Sequence, residues 1–182
     1  MCNDSALITD FIAGDKTAFR RLVERHKQQA YVWALGLVGN KDDAYDISQE
    51  AFIRVYRSLK RFDLSRPFGP WFYTIVSNLS RSWLRRRKVN EYRLVDIDDV
   101  SYLLAAEGDP DQVLTRKTLV AQLRKGLMQL AFKDREIIVL QHVRGMSYDE
   151  IATLLEIPRG TVMSRLYYAR KRLARLMREP NG

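Results

Sequence analysis

The segment from Gly145 to Leu176 constrains this chain more than any other, because its sequence predicts two helices joined by a tight turn. Ser147 and Glu150 fit the S-x-x-E capping box, in which each side chain satisfies a backbone N–H group at the start of a helix. Pro158 and Gly160 then break this first helix and set up the turn. A second helix follows, so the segment is predicted to be a helix-turn-helix.

The second predicted helix has one apolar side and one cationic side. Its apolar stripe consists of Val162, Leu166, Ala169, Leu173 and Leu176. The opposite face carries Ser164, Tyr167, Tyr168 and Lys171, flanked by Arg165 and Arg172. No Asp or Glu occurs from residue 159 to residue 178. Such a helix suits the major groove of DNA. An amphipathic hairpin with a solvated basic face is the alternative, and the cap, turn and acid-free helix together favour DNA.

The composition agrees with a polyanionic partner. The 182 residues include 31 Lys and Arg against 22 Asp and Glu, a formal charge of +9, which suits nucleic acid or an anionic membrane surface. No apolar run approaches the roughly 20 residues that span a bilayer, and the first residues lack the features of a secretory signal. The single cysteine, Cys2, excludes an internal disulfide framework and fits a reducing compartment.

The charge pattern divides the chain in two. From Asp96 to Gln112 the sequence contains acids and neither Lys nor Arg. Helical spacing of apolar residues occurs on both sides of this strip. We therefore predict an all-α fold of two small helical domains, residues 1–93 and 113–182, joined by an acidic linker over residues 94–112.

A long helix is predicted from about Lys41 to Arg61, with acidic and amide side chains on one side of its early turns. These are Asp42, Asp43, Asp46, Gln49 and Glu50. Acids there complement the helix dipole, and they could equally form an acidic docking patch. The residues alone leave both interpretations open.

The next segment, LSRPFGPW after Asp63, is predicted to be non-helical because of its Pro and Gly residues. A further helix is predicted from about Pro70, rich in aromatic residues and ending in Arg81, Arg85, Arg86, Arg87 and Lys88. Aromatic rings interleaved with arginines suit single-stranded nucleic acid, since rings stack on unpaired bases and cations follow the phosphates. The alternative is that the rings form core and the arginines a solvated helix end.

Three segments together resemble bacterial RNA polymerase sigma factors. Asp43 to Asp63 is similar to their core-polymerase-binding motif, Pro70 to Lys88 to their strand-opening helix, and Met146 to Leu173 to their upstream-element helix-turn-helix, including the string GTVxSRL. The three occur in family order and cover nearly the whole chain. The chain has no room for the extra regions of housekeeping sigma factors, so it resembles the small extracytoplasmic-function, or ECF, subgroup.

The resemblance implies site residues. The core-polymerase-binding set is Asp43, Asp46, Gln49 and Glu50. The downstream-element set is Arg66, Phe68, Asn78, Arg81, Arg85, Arg86 and Arg87, with a flipped base captured near Arg66 to Gly69. The upstream-element set is Arg159, Thr161, Ser164, Arg165, Tyr167, Tyr168, Lys171 and Arg172.

The resemblance also implies a function. The chain is expected to bind core RNA polymerase, to direct initiation at promoter DNA through the upstream (−35) and downstream (−10) elements, and to help open the duplex. It is expected to act in stress responses in the bacterial cytoplasm. An anti-sigma factor, free or membrane-anchored, is the expected inhibitor.

Catalysis finds no support in the sequence. His26 and His142 are isolated, the glycines form no phosphate-binding loop, and no serine lies in a nucleophile elbow. We predict a non-enzyme with no metal, no cofactor and no small-molecule substrate. Two rivals remain, a helix-turn-helix regulator that does not bind polymerase and a serine recombinase with a parallel-sheet catalytic domain.

Overall fold

The computed structural model describes residues 4–89 and 110–178, and within those ranges the chain is all-α, with no strand. The helices are α1 (Asp4–Ile12), α2 (Lys16–Val38), α3 (Lys41–Ser58), α4 (Phe68–Val89), α5 (Pro110–Gln129), α6 (Phe132–Arg144), α7 (Tyr148–Leu155) and α8 (Arg159–Arg178). A 3₁₀ turn, Leu59–Arg61, continues α3. The prediction of an all-α fold is confirmed. The proposed linker lies outside the described residues except for residues 110–112, which belong to α5.

The chain divides into two compact units, residues 1–89 with α1 to α4 and residues 90–182 with α5 to α8. In the first unit α2 is central, since it packs against α1, α3 and α4. Asp15 begins α2 by accepting a hydrogen bond from the N–H of Thr17 at 2.7 Å. Gly39 ends it with a φ of 74°, a left-handed conformation that glycine adopts without steric cost.

Aromatic rings form much of the core of the first unit. Trp33, Phe72 and Tyr73 are fully buried. The ring of Phe72 lies 4.8 Å from that of Phe52 and 5.4 Å from that of Phe68. Such ring contacts stabilise a core beyond the area they bury. The inward face of α4 is therefore fixed by its aromatic side chains.

The start of α4 differs from the prediction. Residues 64–71 were expected to be non-helical and the helix to begin near Pro70, whereas α4 begins at Phe68. Pro70 is tolerated there because the first turn of a helix leaves its N–H groups without helical partners. Phe68 is 3% exposed and packs against the rings of Phe62 and Trp71. Burial of Phe68 thus extends the helix over a sequence that local propensity marks as a loop.

The second unit has an aliphatic core, in which α8 packs against α5, α6 and α7. Its fully buried side chains include Ile137, Leu140, Ile151, Val162 and Leu166. Gly126 allows α5 to approach α8 closely, because a Cβ atom there would lie 2.9 Å from Cδ1 of Leu173. A glycine in the middle of a helix, normally a cost of about 0.5–1 kcal/mol, is explained here by this contact.

The turn of the helix-turn-helix is made by Glu156. The capping box of Ser147 and Glu150 is present, with both reciprocal hydrogen bonds. Pro158 lies in the turn, as expected, and its carbonyl oxygen accepts the first hydrogen bonds of α8 from the N–H groups of Thr161 and Val162. The expectation for Gly160 is corrected, because Glu156 ends α7 with a φ of 53° while Gly160 lies in the first turn of α8. Few non-glycine residues adopt a positive φ, so the turn was assigned to Gly160 rather than to Glu156.

A buried arginine fixes the connection between α5 and α6. The guanidinium of Arg135 donates to the carbonyl oxygens of Met128 and Leu130, each at 3.1 Å. These are carbonyls at the C-terminal end of α5, which have no partner within the helix. Burial lowers the pKa of Arg135 to about 10, so it remains a cation at neutral pH.

Candidate docking and nucleic-acid interfaces

The predicted polymerase-docking residues share the N-terminal half of α3 but differ in their surroundings. Asp46 and Gln49 are exposed. Glu50 is half-buried and accepts a hydrogen bond from Arg54 one turn later, at 3.1 Å. Asn40 caps the helix by accepting the N–H of Asp43 at 3.0 Å. Asp46 and Gln49 are thus the most accessible members of the set.

Two of the exposed large apolar side chains on α3 lie beside the predicted docking residues, and the sequence prediction missed them. Tyr45 and Ile53 lie on the surface, and their spacing from Gln49 is four residues in either direction, which places all three along one helical stripe. That spacing was the available signal. The exposed side of α3 is therefore acidic and partly apolar.

Asp43 behaves differently from its neighbours, because its Oδ2 atom accepts a hydrogen bond from Nη1 of Arg87 at 2.8 Å. Burial raises the pKa of Asp43, and the charge of Arg87 opposes that rise. The guanidinium of Arg87 also lies 4.8 Å from the centroid of the Trp83 ring, within the range of a cation–π contact. A residue predicted to dock polymerase is thus bonded to one predicted to contact DNA.

Polar and cationic residues line the outward side of α4. Asn78, Arg81 and Arg85 are exposed at helical spacing, and Arg86 is exposed beside them. Arg66, before the helix, is exposed and lies 3.5 Å from Asp63. These side chains are accessible to a nucleic acid.

Phe68 is not on this surface, although it was assigned to the downstream-element set. Its ring lies 5.0 Å from that of His26 and is part of the core described above. The structure therefore does not bring Phe68 together with the exposed members of the set, Arg66 and Asn78.

The outward side of α8 carries the predicted upstream-element residues. Ser164, Tyr167, Tyr168 and Lys171 are exposed, and the two tyrosine rings meet edge to face at 5.2 Å. Thr161 and Arg165 are half-buried at the margin. Met163 is exposed as well, and its place between the predicted residues was the signal by which the sequence could have shown it.

Arginines tie α8 to its neighbours. Arg172 lies 3.1 Å from Asp134 of α6, and Arg159 lies 3.2 Å from Asp149 of α7. Arg170, which the prediction did not single out, donates to the side chain of Gln141 and to Nε2 of His142. Burial and the charge of Arg170 lower the pKa of His142. Two arginines of the predicted upstream-element set, Arg159 and Arg172, therefore already contact carboxylates.

Two other kinds of feature are absent from residues 4–89 and 110–178. None of the helices there is long and apolar enough to cross a bilayer. The same residues contain no group of three or more His, Cys, Asp or Glu side chains placed to hold a metal ion.

Two family profiles match the chain, one in each unit. Residues 22–89 match Sigma-70 region 2 and residues 121–173 match Sigma-70, region 4. The first match contains α3 and α4, and the second contains α6, α7 and α8 as far as residue 173. The surfaces of α3 and α4 thus lie in the first matched region, and the predicted upstream-element residues of α8 lie in the second.

Curated relatives are similar over almost the full chain. The ECF RNA polymerase sigma factor SigW of Bacillus subtilis is 32% identical over 172 residues, which are 91% of this chain and 92% of that protein. The RNA polymerase sigma-H factor of Pseudomonas aeruginosa is 31% identical over 186 residues, covering 97% and 96%.

Solved structures with the same fold include CnrH in complex with the cytosolic domain of CnrY. That chain is 28% identical, with a TM-score of 0.68 and 96% of each chain covered. The sigma factor RpoE of Bartonella quintana, in complex with the anti-sigma factor NepR, is 24% identical, with a TM-score of 0.68 and coverage of 90% and 98%, and it supports the fold alone.

Proposed function

This chain belongs to the extracytoplasmic-function family of RNA polymerase sigma factors, and we propose that α3 binds core polymerase while α4 and α8 contact promoter DNA. The chain directs promoter-specific initiation with core RNA polymerase. The observation that carries this function is the match of regions 2 and 4, in family order, to the two units.

The two rival functions are not favoured. A helix-turn-helix regulator without polymerase contact would leave the region 2 match over residues 22–89 unexplained. A serine recombinase needs a parallel sheet, and residues 4–89 and 110–178 contain no strand. The family is one of transcription initiation factors, and we propose that the chain itself catalyses no reaction.

Docking through α3 is supported by its accessible acidic and apolar side chains. Asp46 and Gln49 present charge and an amide, while Tyr45 and Ile53 present apolar area beside them. Charge complementarity steers association, and buried apolar anchors supply much of the affinity of an interface. The surface fits a partner with basic and apolar side chains, which we propose to be the core polymerase.

A charge reversal tests this docking. Asp46→Arg should weaken binding of the full chain to core polymerase by about tenfold or more, because like charges would then face each other. Asp10→Arg, at an exposed acid of α1, changes the net charge equally and should leave the dissociation constant unchanged. Equal effects of both variants, or none from Asp46→Arg, would remove α3 from the interface.

We assign the downstream element to α4 and the upstream element to α8. The exposed residues Asn78, Arg81 and Arg85 of α4 suit unpaired bases and phosphates. On α8, Ser164, Tyr167, Tyr168 and Lys171 face outward together and suit the edges of bases in the major groove. Arg165 and Arg172 flank that face, and they would hold phosphates, Arg172 in competition with Asp134.

Titrations of holoenzyme on upstream-element variants test the α8 assignment. Tyr168→Ala should change the preferred base, by about 1–3 kcal/mol at that position if it makes a good contact. Arg165→Ala should weaken binding to all sequences alike and lower the salt slope by about 1. The opposite pattern would mean that α8 is rotated relative to this assignment.

An anti-sigma factor is the proposed regulator. A similar chain, CnrH, has been solved with the cytosolic domain of CnrY, and the exposed surfaces of α3 and α8 offer a protein opposite charges to bind. We propose that the chain lies in the bacterial cytoplasm and is held at the inner membrane when its inhibitor is anchored in that membrane. Its domains are proposed as residues 1–93 and 113–182, joined by a linker over residues 94–112 whose last three residues are the start of α5. Purification from uninduced cells without a stoichiometric inhibitor would count against this regulation.

A further inference from the structure

A partly buried ion pair joins the first turn of α3 to the last turns of α4. Asp43 and Arg87 meet at 2.8 Å, with their side chains 21% and 31% exposed. They are 44 positions apart in the chain, so the contact belongs to the tertiary fold rather than to one helix. A pair shielded in this way is screened less by salt than a surface pair, and loss of one partner leaves a charge in a poorly hydrated place.

Both members of the pair are held on a second side. The backbone N–H of Asp43 donates to Asn40, the residue that caps α3. The guanidinium of Arg87 lies near the ring of Trp83, one turn earlier in α4. The pair is therefore anchored to the backbone at one end and to an aromatic side chain at the other.

The neighbours of the pair have a different character. Asp46, three residues after Asp43, is exposed, and so are Arg85 and Arg86 immediately before Arg87. These charged neighbours of the pair are thus accessible, whereas Asp43 and Arg87 are partly buried in their contact. Charge and sequence position alone group Asp43 with Asp46, and Arg87 with Arg85 and Arg86. The structure separates the partly buried pair from these exposed neighbours.

We propose that Asp43 and Arg87 are positioning residues, whose ion pair holds the basic end of α4 against the start of α3 so that Arg85 and Arg86 face the promoter. The pair makes the polymerase-docking helix and the promoter helix one rigid support. This inference rests on the proposed function of α3 and α4 and refines it. It removes Asp43 from the docking surface and Arg87 from the phosphate contacts.

A double-mutant cycle in holoenzyme tests the proposal. The full-length variants are Asp43→Asn, Arg87→Gln and their combination, with Asp46→Asn as the matched control on α3. One measurement is the dissociation constant for core polymerase without DNA. The other is open-complex formation, followed by a fluorescent base analogue in the downstream element. Arg87→Lys is the conservative variant.

Asp43→Asn and Arg87→Gln should each lower open-complex formation by about threefold to tenfold. This factor lies within the range of interaction free energies found between residues in contact. The combination should be no worse than the more severe single variant, and Arg87→Lys should retain most of the activity. Affinity for core should be unchanged by these variants and weakened by Asp46→Asn. Should Asp43→Asn fail to fold, judged by circular dichroism, Asp43→Glu takes its place in the cycle.

Three results would each contradict the proposal. The first is a loss of affinity for core in Asp43→Asn as large as that in Asp46→Asn, and the second is that the effects of the two single variants on open-complex formation multiply in the combination. The third is a lower salt slope of DNA binding in Arg87→Gln together with normal open-complex formation in Asp43→Asn. The last would identify Arg87 as a phosphate contact. If Asp46→Asn leaves core binding intact, the proposal that α3 docks core polymerase fails. The proposal on the ion pair is still tested in that case, because the double-mutant cycle is measured by open-complex formation.

Discussion

The two helices proposed to contact DNA, α4 and α8, are both amphipathic and basic, yet they use their aromatic residues in opposite ways. Phe72 of α4 is 0% exposed, whereas Tyr167 and Tyr168 of α8 are 61% and 56% exposed. The first unit uses rings to build its core, whereas the core of the second is aliphatic and the two tyrosines of α8 lie at the surface. Aromatic residues beside arginines thus indicate a nucleic-acid site only when other side chains fill the core.

The arginines of the two helices differ as well. Arg81, Arg85 and Arg86 of α4 are exposed, and Arg87 is bonded to α3. On α8, by contrast, the arginines at positions 159, 170 and 172 all contact α6 or α7. The basic residues of α8 therefore serve partly to hold the helix in place.

The largest expected effect separates buried from exposed rings. Phe72→Ala should lower the free energy of unfolding of the first unit by about 3–5 kcal/mol, whereas Tyr167→Ala should change that of the second by no more than about 0.5 kcal/mol. All three tryptophans, at positions 33, 71 and 83, lie in the first unit. Tryptophan fluorescence during urea unfolding therefore reports that unit, and far-ultraviolet circular dichroism reports both. Similar losses from the two substitutions would break the comparison.

A medium effect compares the helical glycines of the two units. Gly126→Val should cost the second unit about 1–3 kcal/mol, because added methyl groups would overpack the contact with Leu173. Gly69→Ala in α4 meets no atom within 4 Å and should be neutral or stabilising by up to about 1 kcal/mol. Urea unfolding followed by circular dichroism measures both. A neutral Gly126→Val would show that α5 and α8 pack less closely than described.

The smallest effect concerns the tie between α6 and α8. The pKa of His142 is lowered from 6.5 by burial and by Arg170, so the folded chain keeps His142 neutral where the unfolded chain begins to protonate. Its contribution to stability is therefore present above pH 6.5 and declines as the pH falls below that value. Arg170→Gln should raise the pKa of His142 in an NMR titration of the imidazole protons. Lys171→Gln removes the same charge from the solvent face of α8 and should have less effect, and an equal shift would exclude a specific contact.

Local signals predicted the helices well and the contacts between them poorly. Ser147 and Glu150 are three residues apart, so sequence alone revealed their capping box. Asp43 and Arg87 are 44 residues apart, and no spacing rule relates them. The Pro and Gly residues around Phe68 predicted a loop, and the family resemblance gave that loop a role in DNA binding. Only the packed rings of the first unit show that Phe68 is core.

The helix boundaries show the same limit in a different form. Glu156 takes a left-handed conformation that its residue type does not signal. Glu156 ends α7 where α7 packs against α8, and that contact between helices is a property of the fold rather than of the local sequence.

The arginine ties of α8 have a consequence for engineering promoter specificity. Because Arg159, Arg170 and Arg172 hold the helix from its sides, the outward residues carry little of the fold. A combinatorial library limited to Ser164, Tyr167, Tyr168 and Lys171 would therefore vary groove chemistry on a fixed scaffold. Members of such a library could be selected as mutually orthogonal factors, each addressing its own synthetic promoter within one cell.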